Sequence, residues 1–210
     1  MSTMLKTLVA AAAALALSAG AASAAVTITD ANVPGNPEEN IQLTQDTPGT
    51  TILGVTNQTN TSVSFVGDEM LNAPAQGQAR IVAVDGGFSY LEIFLTNPNL
   101  GFTALELNIN ALADGMANFY AYSLSNVLLA STSLAIGANG ENRINIFTDG
   151  ELLGRVAFDT TVDVVADVRQ IRIGGVSAIP EPGTWALMIA GFGLMGAAVR
   201  QARRQRLLAA

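Results

Sequence analysis

The chain has 210 residues, with 10 basic and 17 acidic side chains and a formal net charge of −7, and it contains neither cysteine nor histidine. Those absences exclude disulfides, thiolate nucleophiles, Cys/His zinc sites and any Ser-His-Asp or Cys-His catalytic arrangement. The length suits one ordinary domain. Between Val26 and Ile179 sixteen acids stand against five arginines, a net −11 that repels phosphate backbones and argues against nucleic acid as a partner.

The first 25 residues have the three-part layout of a secretory signal peptide: Lys6 as the early positive charge, the apolar run Leu8 to Leu17, then small residues through Ala25. Cleavage after Ala24 or after Ala25 satisfies the small-x-small requirement equally well. The following stretch, residues 30 to 50, is rich in Asn, Pro, Glu and Thr and is predicted to be an irregular loop. Asn57 to Ser62 reads as a polar turn. It contains two N-x-[ST] matches, at Asn57 and Asn60.

From there the apolar residues recur with period two. In Phe102 to Asn110, Leu105, Leu107 and Ile109 face one way and Glu106, Asn108 and Asn110 the other, which predicts a half-buried strand. Phe88 to Thr96 alternates similarly, with Leu91, Ile93 and Leu95 opposite Tyr90, Glu92 and Phe94. In Met116 to Leu124, Tyr120 and Tyr122 share one face and Phe119 takes the other. Asp85-Gly86, Asn97-Pro98-Asn99, Asp114-Gly115, Asn139-Gly140 and Asp149-Gly150 punctuate the runs and suit tight hairpins between antiparallel neighbours. Ala111 to Ala113 and Val127 to Ala130 are the only candidates for short helical turns. The pattern predicts an all-β fold, an antiparallel, jelly-roll-like β-sandwich over residues 26–179.

With lysine also missing from this region, only carboxylate chemistry remains for catalysis. Asp149, Glu151, Asp159, Asp163 and Asp167 are its candidates. They lie mostly near turns, where a solvated carboxylate is the ordinary reading, and the domain is expected to be non-enzymatic. No cofactor is expected. The Asp, Asn and Gly turns offer hard oxygen ligands for a structural calcium ion, with no residue set assigned. Asp30 to Gly35 begins like an EF-hand loop, but Pro34 occupies a ligand position and Ile41 stands where the terminal Glu is needed. Tyr90, Phe119, Tyr120 and Tyr122 could stack on sugar rings where they face outward.

The C-terminus has three parts in fixed order: Pro180-Glu181-Pro182, an apolar segment from Gly183 to Val199, then Arg200, Arg203, Arg204 and Arg206. The prolines lack N–H groups and oppose helix at the start. Seventeen apolar positions at 1.5 Å rise reach roughly 25 Å, a marginal bilayer span. Trp185 falls at the interface, and the arginines stay cytoplasmic, leaving the acidic domain outside. Gly191-Phe192-Gly193-Leu194-Met195-Gly196 fits G-x-G-x-x-G letter for letter, but lacks both the preceding strand and the acidic residue some 20 positions on. Close helix packing explains those glycines better.

Pro180, Glu181, Pro182, Trp185 and Ala186, followed by Gly191, Gly193 and the basic end with Arg200, Arg203 and Arg204, resemble the PEP-CTERM sorting signal in its PEPxxWA form. Gln201 and Ala202 interrupt the arginine run, a small departure from that pattern. The resemblance implies a protein exported by a Gram-negative bacterium. Signal peptidase would process one end, and an exosortase, a membrane-embedded cysteine transpeptidase, would process the other. The implied division is a signal peptide over 1–25, the ectodomain over 26–179, and a sorting signal with one transmembrane helix over 180–206. The implied destination is the cell envelope or extracellular matrix, by way of the inner membrane, in hosts many of which make exopolysaccharide. The alternative from a different class is a carbohydrate-binding module, with or without calcium, anchored to the membrane.

Overall fold

The computed structural model describes residues 25–31, 37–44, 47–74, 79–138, 141–161, 165–178, 188–196 and 200. Fourteen strands follow in order: β1 (Val26–Thr29), β2 (Glu39–Leu43), β3 (Gly49–Thr56), β4 (Ser62–Asn72), β5 (Arg80–Ala83), β6 (Tyr90–Leu95), β7 (Leu100–Gly101), β8 (Ala104–Ala111), β9 (Gly115–Ser123), β10 (Leu128–Ile136), β11 (Asn142–Thr148), β12 (Leu153–Thr160), β13 (Val165–Gly174) and β14 (Ser177–Ala178). Twelve of them form one antiparallel sheet in the order β1-β11-β8-β13-β2-β3-β4-β6-β12-β9-β10, with β5 bridging β13 and β4. The remaining two, β14 and β7, pair separately.

The period-two pattern explains why this long sheet folds back on itself. Leu105, Leu107 and Ile109 of β8, Ile144 and Ile146 of β11, and Ile171 and Ile173 of β13 are buried, as are Phe65 of β4, Leu91 and Ile93 of β6, Phe119 of β9 and Phe158 of β12. Each set occupies one face of its strands, so a flat sheet would leave an apolar face in water; curling into two facing layers buries both sets in one core. One layer runs β1-β11-β8-β13 and the other β3-β4-β6-β12-β9-β10, joined through β2 and β5. Phe158 sits in the core with its ring centroid 5.7 Å from that of Phe119 and 6.4 Å from that of Phe88. On β13 a bulge between Arg169 and Arg172 keeps the inner row intact: Gln170 takes φ 54, and Val168 and Ile171 are both buried on either side of it.

All-β architecture and the alternation of β6, β8 and β9 agree with the sequence reading, while three local expectations are corrected. Residues 30–50 are not one loop, because β2 and the start of β3 lie within them. Val127–Ala130 is no helical turn, since Leu128 already pairs with Tyr122 as β10 begins, and Ala111 ends β8 with a bend, not a helical turn, following over residues 112–114. Nor do the glycine turns close hairpins. Asp85-Gly86 joins β5 to β6, Asp114-Gly115 joins β8 to β9 and Asp149-Gly150 joins β11 to β12; the strands of each pair are not partners. Gly86 and Gly150 do adopt positive φ, 107° and 92°. The same turn chemistry serves a connection that carries the chain on to a different partner strand. Asn139-Gly140 lies outside the described residues.

True hairpins such as β3–β4 and β9–β10 turn on asparagines in the left-handed region instead, Asn60 at φ 53 and Asn126 at φ 62. The β3–β4 turn is held from below by Glu39 of β2, which is 6% exposed. Its Oε2 accepts the backbone N–H groups of Thr59 (2.9 Å) and Gln58 (3.3 Å), and the Thr59 hydroxyl donates to the same carboxylate. Burial raises the pKa of this carboxyl, but the hydrogen bonds from Thr59, Thr56 and Gln58 outweigh it and hold the group below its ordinary value. A depressed pKa contributes stability that is present above the unfolded value of 4.5 and disappears as pH falls through the folded one. Glu39→Ala, which leaves two turn N–H groups without their acceptor, is expected to cost about 1–3 kcal/mol at neutral pH. Urea unfolding at pH 7 and pH 3 checks both points, since the gap between wild type and variant should narrow at the lower pH.

Candidate functional site

Of the predicted sorting residues, Gly191 and Gly193 lie in a helical stretch, residues 188–196, and Arg200 is also described; Pro180, Glu181, Pro182, Trp185, Ala186, Arg203 and Arg204 lie outside the described residues. Met188, Ile189, Phe192, Leu194 and Met195 of that stretch are all more than half exposed. It is the described part of the predicted 183–199 span, and among the described residues no helix is long and apolar enough to cross a membrane.

The candidate carboxylates do not converge. Asp149 is exposed at its turn, and the Glu151 carbonyl accepts the Thr148 hydroxyl. Asp159 lies on β12, where Asn118 donates to it at 2.7 Å. Asp167 lies on β13, 1% exposed, with Arg80 at 3.3 Å and Asn110 at 3.0 Å. β12 and β13 do not pair, and each acid is held by its own partners. Asp163 and residues 32–35 of the EF-hand-like stretch are outside the described residues. Among the described residues no group of three or more acids could hold a metal ion.

What the fold does bring together is the outward face of β6, β12 and β9. Strand alternation sends Tyr90, Glu92 and Phe94 outward from β6, Arg155, Ala157 and Asp159 from β12, and Asn118, Tyr120 and Tyr122 from β9. Register then sets Phe94, Arg155 and Tyr122 in one row, Glu92, Ala157 and Tyr120 in the next, and Tyr90, Asp159 and Asn118 in the third. The chain has only three tyrosines, and all three are here. Five of its eight phenylalanines are instead fully buried in the core.

Two polar strings tie this face down. The Tyr90 hydroxyl donates to Glu92 Oε2 at 3.2 Å, Arg155 Nη1 donates to Glu92 Oε1 at 2.9 Å, and the Arg155 guanidinium carbon lies 4.0 Å from the Tyr122 ring centroid. In the second, Ser133 donates to Asn118, Asn118 to Asp159, and Tyr120 is hydrogen-bonded to the same Asp159. Ala157 stands between Glu92 and Tyr120 on the solvent side of the sheet, yet is 3% exposed. The larger side chains in the rows around it leave this alanine almost no accessible surface.

At one end the face runs into a cleft of about 220 Å³ between the β6–β7 and β9–β10 connections and the start of β12, lined by Glu92, Phe94, Leu100, Leu124, Asn126 and Arg155 among others. Gly154 forms part of its wall. A Cβ there would meet Ser123 O at 2.7 Å and the Leu124 backbone at 2.8 Å, so this close approach of β12 to the β9–β10 turn requires glycine. The sequence placed Tyr120 and Tyr122 together and Phe119 away from them. It did not reveal Arg155 and Asp159 as their partners, because those contacts depend on β12 lying beside β9.

Burial, with the Glu92 carboxylate beside it, pushes the Tyr90 phenol up to about 12; the hydrogen bond to Asp159, with burial, pushes Tyr120 up as well. Raised values mean that the tyrosine–carboxylate contacts are intact below the unfolded value of 10 and are lost as pH rises through the folded ones. In a spectrophotometric titration of the native protein, Tyr90 and Tyr120 are therefore expected to ionise later than in urea. Ionisation of Tyr90 and Tyr120 at the same pH in the native state as in urea would contradict these tethers.

Comparison with known proteins follows the two parts of the chain. No curated protein sequence matches it. Among solved structures, it is similar to an exo-beta-agarase at TM-score 0.36 and 8% identity, over 68% of this chain and 25% of that one. A family 29 carbohydrate binding module from Piromyces equi gives 0.29 and 10%, over 73% and 89%. BiXyn10A CBM1 gives 0.25 and 14%, over 67% and 89%. The chain thus spans a quarter of the agarase's length. Scores this low bear on neither fold nor ligand. The tail is different: the ordered Pro-Glu-Pro, apolar and arginine-containing segments are matched by a family of their own, and residues 178–204 carry the PEP-CTERM protein-sorting motif, which implies an exported protein targeted to an exosortase.

Proposed function

We propose that this is a non-enzymatic protein of the cell envelope or extracellular matrix, delivered there by signal-peptide cleavage at one end and exosortase processing at the other. The observation that carries the reading is the PEP-CTERM motif at residues 178–204. Three features support it. The exposed apolar side chains of residues 188–196 have no place in water and suit a bilayer during transit. The basic end follows the apolar segment, and the −11 domain precedes it, so the positive-inside bias places the domain on the outer side of the inner membrane. The leader over residues 1–25 gives the same orientation independently.

In this reading residues 26–179 are a jelly-roll-like cargo domain, while 183–199 form a transmembrane helix only until processing. Pro180 and Pro182 keep the recognition segment out of a helix, Trp185 marks the interface, and Arg200, Arg203 and Arg204 stop transfer. The domain contributes no nucleophile and needs no cofactor. Association with exopolysaccharide fits an extracellular destination.

Replacing Pro180, Glu181 and Pro182 with alanine in the host tests the reading directly. The variant is expected to accumulate in the inner-membrane fraction at the mass of the unprocessed tail. Deleting residues 180–210 is expected to release the domain without membrane retention. Unchanged processing and localisation in both would overturn the proposal.

A further inference from the structure

We infer that the outward face of β6, β12 and β9 binds an uncharged polysaccharide chain, with Tyr90, Tyr120 and Tyr122 as the surfaces on which sugar rings stack. Cross-strand packing accounts for a tyrosine at any one of these positions. It does not account for all three tyrosines of the chain meeting on one face while the larger share of its phenylalanine goes to the core. A half-exposed phenol offers an apolar ring with a polar edge, which matches the alternating C–H faces and hydroxyl rims of a sugar. Tyr90 and Tyr120 stand on strands separated by β12 and one row out of line, about 12 Å apart, and Tyr120 and Tyr122 about 7 Å apart along β9. An extended oligosaccharide spans such intervals.

The tethers make the face ready for a ligand. Glu92 and Asp159 fix the hydroxyls of Tyr90 and Tyr120, so little side-chain freedom is left to lose on binding. Hydroxyl partners stand at the margin: Ser131 and Ser133 of β10 are exposed, opposite Tyr120 and Asn118. Arg155 ties the face to the cleft beside it, and its Nε is buried without a hydrogen-bond partner.

Charge selects the class of sugar. Asp68, Glu92 and Asp159 lie on or beside the face, and its only cation, Arg155, is already paired with Glu92 at 2.9 Å. An anionic chain would meet the unpaired charges of Asp68 and Asp159, whereas a neutral one meets hydrogen-bond acceptors.

The inference is independent of tail processing, and its test leaves the tail untouched. Full-length protein in detergent micelles is run in native affinity gels containing hydroxyethylcellulose, galactomannan or xylan, with alginate as the anionic polymer. Retardation by at least one neutral polymer is expected, weakened about tenfold or more by Tyr120→Ala and by Tyr122→Ala. Because every tyrosine is on this face, a phenol difference spectrum of the wild-type protein at saturating polymer is also expected. That spectrum decides the matter alone if the alanine variants prove unfolded by circular dichroism. Retardation by no neutral polymer, by alginate only, or equally in folded alanine variants would overturn the inference. So would a concentration-dependent dimer abolished by Tyr122→Ala, since the face would then be occupied by a second copy of the chain.

Discussion

The largest apolar side chains of this domain lie mainly on one face of their strands, and the rest of the structure depends on that constraint. Burying a phenylalanine or isoleucine contributes roughly 1.5–3 kcal/mol, and the fully buried set includes Phe65, Phe88, Phe102, Phe119 and Phe158. No flat arrangement of twelve strands recovers that energy. The sheet turns back on itself at β2 and β5, and the two layers meet through their apolar rows. Once the inner rows have made the core, the outer rows are free of packing duty. Their composition then reflects other demands. On β6, β12 and β9 the outer rows hold tyrosines, acids and one arginine, locked to one another by hydrogen bonds.

How much of this was legible in the sequence follows from the range of the interactions. Alternation is local, so Leu105, Leu107 and Ile109 on one side of β8, and Phe119 opposite Tyr120 and Tyr122 on β9, were readable directly. Pairing is not local. Asp85-Gly86 and Asp149-Gly150 have the backbone freedom that a hairpin needs, and the structure uses it to pass between strands that never pair. The hairpin at Ser123–Val127 turns on Asn126, without the Asn-Gly or Asp-Gly signature. Val127–Ala130 looked helical because its small and apolar residues lack strict alternation; the irregular register between Leu128 and Ala130 is the reason. Asn108, placed by alternation on the solvent face of β8, is 1% exposed because its amide is covered by the bulge on β13, where Gln170 accepts its Nδ2 hydrogen at 3.3 Å. Of the outward face, the tyrosines were visible in sequence. Arg155 and Asp159, which reach Tyr122 and Tyr120 from a different strand, were not.

The tail obeys different rules. Its information lies in the order of segments along the chain: prolines that withhold N–H groups, an apolar stretch of marginal bilayer length, and arginines at the far end. None of that depends on tertiary contacts, which is why 27 residues suffice to identify the motif in a chain whose domain resembles no curated sequence. The sorting motif and the tyrosine face thus lie in separate segments, and one can be altered without touching the other.

The central claim is that the tail is an address removed on arrival. Intact mass of the mature protein, taken from the envelope and secreted fractions of its own host, tests it most directly. The expected species lacks the first 24 or 25 residues and everything beyond the Pro180 region. A mature species that retains Trp185 through Ala210 would contradict the account and leave a domain held permanently by its C-terminal segment.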